Sequence, residues 1–238
     1  MNDPKALVHR ELAPLTGVGT VTRMPVIPAL AVAPHRATAL EEAPPARNRH
    51  QKELIGREAA NLCSPKEAVM IDGGSTTLQM CAHLAGLKLQ VLTNSMLIVN
   101  ALLPQRGTRV LVPGGQVFAE QNIILSAAVD DDMPRFHAPK LFMGAAAIGP
   151  DGLVQADFIL VAAKRRLIDR AEQIIVLADS SKFDSSSGQV VCGLEEIDIL
   201  ITDSGVSPES AAMLERNGIK LIVASRSLSN QSSPINNA

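Results

Sequence analysis

The sequence predicts an α/β fold, a mostly parallel sheet with helices on both faces. Three observations predict it. Short apolar runs alternate with segments of helical spacing over most of the chain. Several of these runs stop at a glycine, hydroxyl or carboxylate loop, as buried strands do when both faces are covered. The connections between them are short, which in a β-α-β-α-β succession means parallel strands joined by right-handed crossovers. The 238 residues hold no Trp or Tyr and five Phe, so the core is built from Ala, Val, Leu and Ile. The formal charge of −2 gives no global pull toward nucleic acid or an acidic partner.

Residues 1–46 stand apart. Seven of the fifteen prolines fall there, a spacing that leaves no room for a long helix. The expectation is a Pro-rich, poorly ordered N-terminal segment, then a domain over 47–225 and a disordered tail over 226–238. Arg47, Arg49, His50 and Lys52 form a small basic cluster, read as the solvated start of a helix running from Asn48 to Cys63 and closed by Pro65.

The organising stretch is Ala68-Val69-Met70-Ile71-Asp72-Gly73-Gly74-Ser75-Thr76-Thr77, an apolar strand that turns into a small-residue loop and then a helix over Leu78–Leu84. Glycine lets the backbone turn sharply and approach a ligand, and the hydroxyls supply capping chemistry at a helix start. Such a junction suits an anion, phosphate above all; the plainer alternative is an ordinary turn whose Ser or Thr only caps the helix.

Gln90–Thr93 reads as the second strand, ending at Asn94-Ser95, with a helix over Met96–Leu103. Arg109–Val112 is the third strand, ending at Pro113-Gly114-Gly115, and 116–133 is aperiodic, an excursion or lid. Within it Asp130-Asp131-Asp132 has no neighbouring His or Glu and reads as a charge cluster at a helix start. Lys140–Met143 is a strand ending at Gly144-Ala145, and Asp151-Gly152 is a turn. Asp157–Ala171 is a long helix carrying Lys164, Arg165, Arg166 and Arg170, the two central arginines on a solvated face. Gln173–Ala178 is a strong strand, followed by Asp179-Ser180-Ser181-Lys182. Val190-Val191 reads as a short edge strand and Ile197–Thr202 as a further strand. Pro208–Asn217 is a helix with Pro in its first turn and Gly218 past its end, and Lys220–Ala224 is the last strand.

In open α/β sheets ligands sit outside the carboxyl ends of the strands. If the loops converge there, they offer backbone donors, hydroxyls, an amide, two carboxylates and lysines, a set that suits a phosphorylated polyol. No histidine lies in these loops, and neither a Gly-x-Ser-x-Gly elbow, a P-loop nor metal-ligand spacing occurs. A binding pocket is therefore expected, with no catalytic residue, metal or cofactor. Cys63, Cys81 and Cys192 are too dispersed for a disulfide framework and suit reduced thiols in a cytoplasmic protein. No stretch is long enough for a membrane span, and the N-terminus lacks a signal-peptide core.

Six motifs occur in one order: Asp72-Gly73-Gly74-Ser75-Thr76-Thr77, Leu92-Thr93-Asn94-Ser95, Pro113-Gly114-Gly115, Phe142-Met143-Gly144-Ala145, Lys164-Arg165-Arg166 and Leu177-Ala178-Asp179-Ser180-Ser181-Lys182-Phe183. Together with Glu196–Asp203 they resemble the effector-sensing domain of the DeoR (glycerol-3-phosphate regulon repressor-like) family over about residues 48–225. The resemblance implies a fold like that of ribose-5-phosphate isomerase, glucosamine-6-phosphate deaminase and CoA-transferases, without their catalysis. It implies a cytoplasmic transcriptional repressor of carbohydrate catabolism, a homo-oligomer, whose operator binding responds to a phosphorylated sugar or sugar-acid effector. The implied effector site comprises Asp72, Gly73, Gly74, Ser75, Thr76, Thr77, Asn94, Ser95, Gly114, Gly115, Gly144, Ala145, Lys164, Asp179 and Lys182. Many members carry Glu-x-x-x-Lys on the long helix; here Leu160 stands in the first position and Lys164 is kept, which implies a divergent effector preference. The family reads operators through an N-terminal winged helix-turn-helix, which the prolines of residues 1–46 do not accommodate. The alternative is an enzyme of the sugar-phosphate isomerase or deaminase kind, with Asp72 or Asp179 as its general base.

Overall fold

A computed structural model describes residues 48–125, 136–183 and 188–225, all within one unit spanning Pro45–Ala238. The Pro-rich segment, Asp130-Asp131-Asp132 and the tail lie outside the described residues. In chain order the elements are α1 (Arg49–Ala60), β1 (Ala68–Ile71), α2 (Ser75–Cys81), β2 (Gln90–Leu92), α3 (Met96–Leu102), β3 (Arg109–Leu111), β4 (Gln116–Phe118), β5 (Ile123–Leu125) and β6 (Ala138–Gly144). There follow β7 (Ala147–Gly149), β8 (Gly152–Gln155), α4 (Phe158–Ile168), β9 (Ala171–Leu177), β10 (Gln189–Cys192), β11 (Ile199–Asp203), α5 (Pro208–Arg216) and β12 (Lys220–Ala224).

Seven strands form one sheet in the order β12-β11-β9-β6-β1-β2-β3, every neighbouring pair parallel. The chain builds outward from β1 to β3, then returns to the far side of β1 and builds outward again from β6 to β12. The strand order therefore reverses between β1 and β6, the place where open parallel sheets leave a crevice at their carboxyl ends.

Alternation along each strand divides two cores. Val69, Ile71, Val91, Phe142, Ile175, Leu177 and Ile201 pack with Ile55 and Ala59 of α1, Met80 of α2 and Ile98 of α3. Met70, Leu92, Leu141, Met143, Val176 and Leu200 pack on the opposite face with Leu167 and Ile168 of α4 and Leu214 of α5. Both faces are thus covered, which is why the strands read as continuous apolar runs rather than alternating ones. A small antiparallel sheet, β10-β8-β7, adds Ile148, Leu153, Val191 and Cys192 to the α4 side.

Three expectations need correction. Helix α2 begins at Ser75 and ends at Cys81, earlier than the apolar spacing of 78–84 suggests. Helix α4 ends at Ile168 and Ala171 already opens β9, because Leu167, Ile168 and Ala171 continue one apolar spacing through a change of backbone. Residues 116–125 are not aperiodic but a two-stranded β4-β5 hairpin. Val190-Val191 lies, as expected, in a short edge strand, which pairs antiparallel with β8 in the small sheet. Cys81 and Cys192 are buried and Cys63 partly so; burial is the largest influence that pushes the three thiols up to about 12, 11 and 12 respectively, which makes them unreactive.

Candidate functional site

The alternation that sorts the two cores also aims the carboxylates at the strand ends. On β1, Met70 faces α4, so Asp72 does too, one residue beyond the strand. There the Lys164 ammonium hydrogen-bonds to Asp72 Oδ2 and, at 2.9 Å, to the carbonyl of Gly144 at the end of β6. Both side chains are buried, and the Asp72 N–H donates to Phe142 O at 2.9 Å. On β9 the phase is opposite. Leu177 faces α1, so Asp179 does as well, and it meets Lys52 of α1 at 3.9 Å. Asn48 Nδ2 donates to Asp179 Oδ1 at 2.8 Å, and the Ser181 hydroxyl donates to the same oxygen at 2.5 Å.

Lys52 is the residue that sequence reading misplaced. It is not part of a solvated charge cluster: Arg49 and His50 are exposed, whereas Lys52 is 6% exposed and its Nζ donates to Ser75 Oγ at 3.0 Å. The signal was present in its spacing, since Lys52 falls on the same helix face as Ile55 and Ala59. Burial, the largest influence, lowers its pKa below the usual 10.5; Asp179 opposes this and Lys182 adds to it. Burial also pushes Asp179 up. It still ends below the ordinary carboxylate value, because the hydrogen bonds from Ser181 and Asn48, with the charges of Lys52 and Lys182, outweigh that push. Two ammonium groups thus act on one carboxylate here. Asp203, at the end of β11, is occupied by the loop that follows β9, through the Ser180 N–H and hydroxyl at 2.7 and 3.0 Å.

The glycines serve for room rather than for conformation. Gly74 has φ 175°, extended backbone open to any residue, so no sharp turn demands it. A Cβ on Gly74 would lie 3.2 Å from Thr77 Oγ1 and 3.9 Å from Gly144 Cα, so the two bare backbones meet across the β1–β6 crevice. A Cβ on Gly73 would press on Ser95 Cβ at 3.1 Å. The hydroxyls are not helix caps, as Gly74 is itself the N-cap of α2 with no side-chain bond. Ser75 receives Lys52, Thr77 Oγ1 donates to Gly74 O at 3.0 Å, and Thr76 and Thr77 are buried.

Asp72, Gly73, Gly74, Ser75, Gly144, Lys164, Asp179 and Lys182 are therefore brought together at the carboxyl rim of the sheet. Others have different employment. Ser95 Oγ caps α3 by accepting from the Ile98 N–H at 3.4 Å, Ala145 packs against the core, and Gly114 and Gly115 are exposed at the edge strand, leading into β4. Asn94 lies two residues past β2; its carbonyl accepts from Ile124 N at 2.7 Å, and it lines a cavity of about 230 Å³ with Pro113, Ile124, Phe158, Ala163 and Arg166. Arg165 is not merely solvated: it pairs with Glu196 and Asp169, each at 2.7 Å. Among the described residues no three His, Cys, Asp or Glu side chains are grouped to hold a metal.

Residues 47–204 match the family model described as the DeoR C terminal sensor domain. The chain belongs to the DeoR sensor-domain family. It is 34% identical over 174 residues to the HTH-type transcriptional repressor GlcR of Bacillus subtilis (strain 168), covering 73% of this chain and 67% of that protein. It is 28% identical over 177 residues to the HTH-type transcriptional regulator UlaR of Shigella dysenteriae serotype 1, covering 74% and 70%. Among solved structures, a probable sor operon regulator from Shigella flexneri aligns with TM-score 0.42 and 11% identity, covering 73% of this chain and 91% of that one. The family model and these relatives, both of them transcriptional regulators by name, support a regulator function for this DeoR-family chain. Among its described residues no helix is long and apolar enough to cross a membrane.

Proposed function

We propose that this regulator senses a phosphorylated sugar or a related sugar-acid phosphate at the carboxyl rim of its parallel sheet, and that occupancy of the rim alters operator binding. One observation carries the reading. At the strand-order reversal the bare backbones of Gly74 and Gly144 face each other, and the buried Lys52 ammonium reaches this loop through Ser75. Backbone amides that approach without side chains, next to an ammonium group, form an environment for a multiply charged oxyanion. The flanking carboxylates and amide suit hydroxyl groups. Operator contact is assigned to a helix-turn-helix segment outside residues 48–225, and the working form to a homo-oligomer.

The test is a thermal-shift screen with five- and six-carbon sugar and sugar-acid phosphates, followed by calorimetry on those that raise the melting temperature. At least one is expected to stabilise the wild type. Gly74→Val is expected to abolish that stabilisation while the unliganded protein still melts cooperatively, since the new side chain fills ligand space and the backbone there is already extended. Equal affinity in the variant would make the loop structural only.

A further inference from the structure

We infer that the amino end of the main sheet carries a DNA contact of its own, a row of cations over β1, β2 and β3 that grips the phosphate backbone of a duplex without reading its bases. The inference rests on the reading of this chain as a regulator that works on an operator, and it adds a contact made by the sensor domain itself. Lys66 stands two residues before β1 and Lys88 two before β2, while Arg106 precedes β3 and Arg109 opens it. The three strands are parallel, so all four cations lie at the end opposite to the glycine rim. The loops that carry them are neighbours. The Lys66 N–H donates to Leu87 O at 2.7 Å, the Arg109 N–H donates to Leu89 O at 2.9 Å, and a Cβ on Gly107 would lie 3.0 Å from Lys88 Cγ.

Lys66, Lys88, Arg106 and Arg109 are all exposed. Among the described residues none of the four is engaged in an ion pair. Glu67, the one carboxylate in these loops, is taken by Lys140 at 2.8 Å. A row of like charges without counter-charges repels itself and draws an anionic partner. The backbone adds a second observation. Lys66 and Lys88 have φ of 66° and 55°, the left-handed region that favours glycine. At both positions a long cation is kept where glycine would sit without strain, and strain of this kind gathers at functional sites.

The dimensions fit a nucleic-acid backbone. Three neighbouring strands lie roughly 4.8 Å apart, so the row is about 10 Å wide. One strand of a duplex presents a phosphate every ~3.4 Å of axis, and the row therefore faces about three in succession. A second copy of this chain fits less well, because carboxylates on the other half of the same end already have partners. Glu172 meets His137 at 3.1 Å, and Asp169 and Glu196 each meet Arg165 at 2.7 Å.

The experiment titrates a short fluorescent DNA duplex of arbitrary sequence with the whole chain, by anisotropy over a range of salt. It compares wild type with a fourfold variant carrying Lys66→Gln, Lys88→Gln, Arg106→Gln and Arg109→Gln. Wild type is expected to bind at low salt and to lose affinity roughly 100-fold between about 50 and 200 mM salt, as four phosphate contacts require. The log–log salt slope is expected to shrink by about 0.9 for each cation removed, hence by about 3.6 in the fourfold variant. The pair Arg106→Gln and Arg109→Gln, expected to shrink it by about 1.8, decides the matter if the fourfold variant does not melt cooperatively. Arg216→Gln, at the exposed end of α5, is expected to leave the slope unchanged. Lys66→Gly is expected to lower affinity and raise the melting temperature, since glycine relieves the left-handed backbone; a fall in melting temperature with unchanged affinity would remove Lys66 from the row. Absence of wild-type binding at low salt, or equal slopes in wild type and variants, overturns the inference. Polyglutamate that competes as well as DNA at equal charge assigns the row to an acidic protein and overturns it too, as does a salt-dependent wild-type dimer that the fourfold variant lacks. The sugar-phosphate thermal shift, read on the same proteins with the panel above, is expected to persist in the fourfold variant. If the row fails while that shift remains, the regulator reading stands without it.

Discussion

The two lysine–aspartate pairs at the rim lie on opposite faces of the sheet, and they are built differently. On the α4 side, Lys164 donates directly to Asp72 and also to Gly144 O, so both charges are buried and both are satisfied within the protein. On the α1 side, Lys52 and Asp179 stand 3.9 Å apart, each bonded mainly to something else: Lys52 to the Ser75 hydroxyl, Asp179 to Asn48 and Ser181. The first pair has little left to offer a ligand. It staples α4 to the β1–β6 crevice. The second keeps an ammonium group under-used next to the glycine loop, and Lys182 adds a further positive charge. Chemically similar pairs thus divide the labour of holding the site and filling it.

The largest expected effect breaks the closed pair. Lys164→Met leaves Asp72 buried without its counter-charge, an arrangement that costs about 3–5 kcal/mol. For a chain of this size that lowers the melting temperature by roughly 10 °C. Adding Asp72→Asn in the same chain is expected to restore part of the loss, which a scan of both variants checks. Removal of the open pair's cation acts on binding more than on folding. Lys52→Met is expected to change stability by no more than about 1 kcal/mol, since loss of one hydrogen bond and a long ion pair is offset by removal of a buried charge. The same change weakens phosphate or sugar-phosphate binding roughly 10- to 100-fold, the worth of a charge-assisted hydrogen bond.

The smallest effect is one of pH. Because the Lys52 pKa in the folded protein is lowered from 10.5, the free protein gives up that proton before an unfolded chain would. Charged Lys52 therefore opposes folding below the lowered value, and the opposition fades as pH rises from there to 10.5. A bound anion favours the charged form, so ligand affinity declines as pH rises through the lowered value. Calorimetry at stepped alkaline pH is expected to show this decline in wild type and to show less of it in Lys52→Met.

Sequence reading located the rim because parallel strands write a legible signature: an apolar run closed by a polar stop, repeated at Asp72, Asn94, Gly144 and Asp179. It pointed to the glycine loop for a reason that the backbone does not share. Gly74 reads as a turn residue, yet its backbone is extended, and the one tight neighbour a Cβ would meet there is Thr77 Oγ1 at 3.2 Å. Lys52 was hidden by its neighbours, since one buried cation beside Arg49 and His50 looks like more of the same exposed charge. The β4-β5 hairpin was illegible because each strand is only three residues long, too short to show a period. That the buried Asn94 Oδ1 finds no hydrogen-bond partner among the described residues cannot be read from sequence at all, because being without a partner is a property of the packed surroundings.

The most direct measurement follows the lysine ammonium signals of the wild-type protein by nitrogen-15 NMR, assigned by single substitutions, while inorganic phosphate or a panel sugar phosphate is added. The account predicts that the signals of Lys52 and Lys182 move with saturable binding and that the signal of Lys164, already committed to Asp72 and Gly144, stays close to its starting position. Saturable binding that moves Lys164 and leaves Lys52 in place would contradict it.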